Sequence, residues 1–195
     1  MHSLVLLAQK AVETFVKEGK IISFPSDLPK EFLERKAGTF VTIEKKLRGL
    51  PRSQAKLVLR GCIGTYLPTR ENIAKEIIQN AIAAATEDYR FGPIQKEELP
   101  YLSYTVYILS EPELVKDIKE LDPKKYGIIV KTVSISSSED VVFNGHFTPK
   151  SGLLLPDLEG IDTVEQQISI ACQKGGIDPV REKILIYKFT VEKYQ

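Results

Sequence analysis

Arg60, Gly61, Cys62, Ile63 and Gly64 put a cation, a thiol and two glycines within one short run. A thiol next to an arginine, with a helix N-terminus following, has the ingredients of an activated nucleophile. The same glycines expose backbone amides, which together with Arg60 and the start of a helix suit an anion. The run is not a nucleotide P-loop, because no Gly-Lys-Ser/Thr follows it. A phosphatase-type loop needs a tighter spacing than the seven residues between Cys62 and Arg70. A second reading stays open beside the chemical one: Cys62 as a small buried hydrophobe where glycines bring backbones together, and Arg60 as the partner of an acid such as Asp88.

Asp88 and Arg90 stand in the run Asp88-Tyr89-Arg90-Phe91-Gly92-Pro93 after a helical stretch. An Asp–Arg brace around a turn is one reading; a general acid at Asp88 would need a raised pKa. The candidate list is therefore Cys62 as catalytic thiol, with Arg60, Gly61, Gly64, Asp88 and Arg90 for ligand binding. His146 adjoins Asn144-Gly145 and reads as an exposed turn histidine, or as a base for Cys62 if that hairpin covers the site. Cys172, on an apolar helical face, reads as core. Tyr101, Tyr104 and Tyr107 read as strand packing, because no basic residue interleaves with them to make a base-stacking platform. Two histidines and two cysteines offer no set with zinc-ligand spacing. No metal is assigned and no cofactor is implied.

Charge and composition bound the function class. Among 195 residues, 27 Lys and Arg nearly balance 26 Asp and Glu, so the global basic footprint of an obligate nucleic-acid binder is missing. The dense basic stretch is Lys45, Lys46, Arg48, Arg52 and Lys56, for which a solvated loop is preferred over an RNA contact. No apolar run approaches the ~20 residues of a membrane span, and residues 1–10 lack the basic start of a signal peptide. The expectation is a cytoplasmic chain. Two distant cysteines exclude a disulfide scaffold.

The elements that must position these residues follow from periodicity. Leu4, Leu7, Ala8, Ala11, Val12, Phe15 and Val16 form one helical stripe that Gly19 ends. A short helix is expected over 29–36, a strand over 39–43, a surface loop over 45–56 and a strand over 57–63. A strong helix follows on Ile73, Ile77, Ile78, Ala81, Ala84 and Ala85, with Thr69 as N-cap and Glu71 in its first turn. Its alanine-rich end suits a close neighbour. Strands are expected over 102–109, 128–135 and 184–191, a short helix within 114–121, and a hairpin at Asn144-Gly145. Thr163 with Gln166 makes a capping box for a last helix ending at Gly175-Gly176. Irregular interleaving with a hairpin predicts α+β, with a mostly antiparallel or mixed curled sheet and flanking helices. One domain is expected over 1–195, with room for two subdomains sharing a core and a boundary inside 90–100 or near 121–127.

The run Leu59-Arg60-Gly61-Cys62-Ile63-Gly64 resembles the signature of the AMMECR family. The resemblance extends over Gly38–Ile43, over Asp88–Pro93 with Glu98-Leu99, and over Tyr126–Val130, Leu153–Pro156 and Ala171–Gly176. Tyr126 departs from the histidine many members have there, and the 45–56 connection resembles the archaeal pattern. The resemblance implies a two-lobed α+β fold with a cleft near the signature. It also implies an association of many prokaryotic members with Memo-like and radical-SAM proteins. It supplies no reaction. Two function classes remain open: an enzyme with a cleft site around Arg60–Gly64 acting on a nucleotide-like or other small substrate, and a non-catalytic binding or scaffold module for a partner enzyme or RNA.

Overall fold

The computed structural model describes residues 1–25, 28–47, 56–133 and 149–195. The chain divides into two compact units, Met1–Leu109 with Glu192–Gln195, and Ser110–Val191. The division falls outside both stretches where the sequence suggested a boundary. Each unit has its own hydrophobic cluster.

In the first unit, helix α1 (Ser3–Glu18) ends at Gly19, whose φ of 68° is the left-handed conformation glycine adopts without strain. The short α2 (Lys30–Glu34) follows Pro29. Strands β1 (Thr39–Lys46) and β2 (Leu57–Thr65) pair antiparallel, and β1 pairs antiparallel with β3 (Leu102–Leu109) on its other side. Between β2 and β3 lies α3 (Ile73–Thr86). Its N-cap is Asn72, whose side chain accepts the Lys75 N–H. Thr69 and Glu71 therefore lie outside the helix, because Thr69 has a stronger partner further along the chain. Val41, Ile43, Val106 and Ile108 bury one face of the sheet in a cluster with the apolar stripes of α1 and α3.

The second unit holds β4 (Glu113–Leu114), β5 (Gly127–Thr132), β6 (Ser151–Leu154), α4 (Val164–Gly175) and β7 (Ile184–Phe189). Its sheet order is β4-β7-β5-β6, with antiparallel pairings throughout. The capping box at Thr163 and Gln166 is formed, and Gly176 closes α4 with φ 60°. The 114–121 segment makes only a single 3₁₀ turn at Ile118–Glu120. The strand expected over 184–191 is two. β7 ends at Phe189, Thr190 exchanges hydrogen bonds with Ser110 in place of a ladder, and β8 (Val191–Tyr194) joins the other sheet, ordered β2-β1-β3-β8. The Asn144-Gly145 hairpin, His146, Arg48 and Arg52 lie outside the described residues.

Candidate functional site

The site begins with a break in strand pairing. Gly61 faces Ile43 and Leu59 faces Glu44, so Arg60 is the extra residue of a β-bulge. A bulge re-aims a side chain that would otherwise follow the pleat. Arg60 Nε and Nη2 donate to the two carboxylate oxygens of Glu98 at 3.0 and 2.9 Å, a bidentate pair. Nη1 and Nη2 also reach the carbonyls of Gly92 and Pro93. The acid partner of Arg60 is thus Glu98, not Asp88. Lys45 adds a third cationic donor, 2.7 Å from Glu98. These partners hold the Glu98 carboxyl at about 2, with the Arg60 hydrogen bonds as the leading cause.

Two residues further on, β2 is an edge strand, and its outward backbone groups at Cys62 need partners. Asp88 supplies one: its Oδ2 accepts the Cys62 N–H at 2.8 Å. Arg90 supplies the other, donating to the Cys62 carbonyl at 3.4 Å while pairing with both Asp88 oxygens at 2.9 and 2.7 Å. Asp88 is 5% exposed and its pKa is lowered to about 2, chiefly by the Arg90 hydrogen bonds, against the opposing effect of burial. A general acid needs the opposite shift. The Asp–Arg brace is the arrangement found.

The glycines do packing work. A Cβ on Gly61 would strike the Ala84 carbonyl of α3, and one on Gly64 would strike the Phe40 ring and the Thr39 carbonyl. The alanine-rich helix end and the glycine strand are two halves of one close contact. The Cys62 thiol points elsewhere. Cys62 faces Thr42 across the ladder, its Sγ lies 3.2 Å from Thr42 Oγ1, and the residue is half-buried.

Sequence reading missed a buried polar network below the signature. Glu76, 1% exposed, accepts from Thr65 Oγ1, Thr69 Oγ1 and the backbone N–H groups of Thr69 and Arg70, all at 2.7–2.8 Å. Asn80 donates to Thr39 and to Thr65. The signal was present: Glu76 and Asn80 fall at helical spacing inside the stripe of Ile73, Ile77, Ala81 and Ala84. This network ties the loop after β2 to α3. Cys172 is core as expected, 2% exposed. Tyr104 is buried in the strand core, and its hydroxyl has no hydrogen-bond partner among the described residues. Burial raises its pKa. Among the described residues no group of three or more His, Cys, Asp or Glu could hold a metal ion, and no helix is long and apolar enough to cross a membrane.

A family model, AMMECR1, matches residues 5–194. A protein of Thermotoga maritima is 46% identical over 194 residues, covering 100% of this chain and 98% of that protein. A protein of Clostridium acetobutylicum is 39% identical over 98% of this chain, but the match is only 35% of that protein's length. The crystal structure of an uncharacterised protein from Pyrococcus horikoshii superposes with a TM-score of 0.76 at 33% identity, covering 97% of this chain and 88% of that one. The matches span bacteria and archaea, and they bring a fold without a reaction. With nearly the full length matched and the signature in place, the chain belongs to the AMMECR1 family.

Proposed function

We propose that the chain is a non-catalytic binding module that presents a rigid aromatic turn to a partner enzyme. The observation behind this reading is the destination of the signature's hydrogen bonds. Arg60 ends on Glu98, Gly92 and Pro93, and Asp88 ends on Cys62 and Arg90. Those bonds grip the 88–93 turn on both sides and leave its Tyr89 95% exposed. An aromatic side chain on a pre-ordered turn loses little freedom when a partner closes over it, which is how anchor residues of interfaces work. The Clostridium relative adds support, since there the matching domain is about a third of a longer chain (35%). A Memo-like or radical-SAM protein is the partner that the family association suggests. The test is calorimetric titration of this chain with the Memo-like and radical-SAM proteins of its own genome. Binding that falls at least about tenfold in Tyr89→Ser and is unchanged in Cys62→Ala is the expected result. No binding to either protein, or binding indifferent to Tyr89, overturns the reading.

A second reading is carried by the Cys62 thiol, half-buried beside Thr42 on the ladder face that does not meet α3. In it the chain is an enzyme whose thiol acts on a nucleotide-like or other small substrate. That reading requires Cys62 to be alkylated in the folded Cys172→Ala protein faster than a free cysteine. A thiol silent until unfolding removes it. RNA binding through the basic stretch has less support, because Lys45 is already paired with Glu98.

A further inference from the structure

A pocket on the first unit shares no residue with the Tyr89 turn. Ile21, Ile22, Phe24 and Ile78 wall this pocket of about 250 Å³, with Arg70, Lys75 and Gln79 at its margin. Ile21 is 65% exposed, so the pocket holds uncovered apolar surface. The backbone at Arg70 is fixed: its N–H donates to the buried Glu76 carboxylate at 2.7 Å. Its guanidinium, in contrast, makes no hydrogen bond or ion pair with any described residue. The neighbouring acid does not neutralise it, because Glu71 is taken by Lys75 and also feels Lys36. Lys75 and Lys36 thus both act on the Glu71 carboxylate, and Arg70 is not among the cations that do. An unpaired guanidinium on a fixed stalk, above an aliphatic and aromatic floor, has the parts of a ligand site: apolar walls for affinity and a few polar groups for orientation.

We propose that this pocket binds a compact apolar group carrying a carboxylate, such as an arylalkyl or branched-chain acid. The carboxylate takes the planar fork of Arg70 in a bidentate pair, and Gln79 offers a further amide at the rim. The volume lies just under the roughly 300 Å³ where drug-sized sites begin, so it accommodates one aromatic or branched aliphatic group. The same chemistry occurs in a free acid and in the C-terminal residue of a polypeptide. The proposal does not depend on the partner-module reading.

The test uses the full chain and three probes: 3-phenylpropanoate, a short peptide ending in a free phenylalanine carboxylate, and that peptide as its C-terminal amide. Binding is read from the methyl NMR signals of Ile22 and Ile78. The expected result is saturable shifts with at least one of the two carboxylates. Affinity should fall at least about tenfold for the amide and in Arg70→Gln, the loss expected for one charge-assisted pair. Because the Arg70 side chain makes no hydrogen bond or ion pair among the described residues, Arg70→Gln should keep the wild-type spectrum elsewhere; Lys75→Gln gives a second, milder loss. Equal affinity of acid and peptide assigns the site to a free acid, and a peptide preference of about tenfold or more assigns it to a chain terminus. No saturable shift from either carboxylate at millimolar concentration overturns the proposal. So does binding of the amide as tight as the acid, or binding unchanged by Arg70→Gln.

Discussion

The two units press a strand onto a helix by the same device. In the first, Gly61 of β2 leaves no room for a Cβ beneath the Ala84 carbonyl of α3; in the second, Gly152 of β6 does the same beneath the Ala171 carbonyl of α4. What surrounds the two contacts differs. Around Gly61 stand a bulge, two ion pairs whose carboxylates are largely covered, and a carboxylate-centred network. Behind α4, the buried Gln167 donates to the Tyr126 carbonyl, and its Oε1 has no partner among the described residues. Close packing alone therefore does not need the charged residues of the signature. Their geometry serves the 88–93 turn, and the comparison separates a packing role for the glycines from a bracing role for Arg60, Asp88 and Glu98.

Breaking the shared device should have the largest effect. Gly61→Ala and Gly152→Ala each force a methyl into a helix carbonyl and should cost about 3 kcal/mol in urea unfolding. Gly92→Ala, with open space around it, should stay within about 0.5 kcal/mol. Loss comparable to Gly61→Ala at Gly92 would break the argument. Next in size is Asp88→Ala, which strips Arg90 and the Cys62 N–H of their partner and should cost about 2 kcal/mol. Its effect should concentrate in the first unit by amide hydrogen exchange.

The charged brace also sets a pH window. Asp88 and Glu98 are both held at about 2, below their ordinary values of 3.8 and 4.5. As pH falls the unfolded chain takes up protons first, so this stabilisation is complete above about pH 4.5 and is lost on the way down to about 2. Acid titration of the double variant Asp88→Asn/Glu98→Gln should show a shallower fall of first-unit stability in that window. An unchanged slope would remove the electrostatic part of the account. The smallest effect is expected at Tyr104→Phe. Removing a buried hydroxyl that has no partner among the described residues should be neutral or stabilising by up to about 1 kcal/mol; a clear loss would mean that the hydroxyl has a partner.

The fold was legible where signals are local. Gly19 and Gly176 ended their helices, Thr163 and Gln166 opened α4, and the glycine strand with the alanine-rich helix end announced a close contact. What could not be read was pairing across distance. Arg60 meets Glu98 only because a bulge turns it there, and no periodicity marks a bulge in a single strand. The choice of Asn72 over Thr69 as N-cap failed for a similar reason: Thr69 is engaged by Glu76, one turn inside α3. The split of 184–191 into β7 and β8 depends on Ser110, far away in the chain.

The bracing claim rests most directly on one backbone group, the Cys62 N–H, which points out from an edge strand yet is bonded to Asp88. Its hydrogen exchange should be measured in the wild-type chain and in Asp88→Ala. Slow exchange is expected in the wild type, matching the Phe91 N–H that closes the 88–93 turn on the Asp88 carbonyl, and fast exchange at both amides in the variant. Fast exchange of the Cys62 amide in the wild type would contradict the bracing claim, and would return the signature to chemistry or to packing alone.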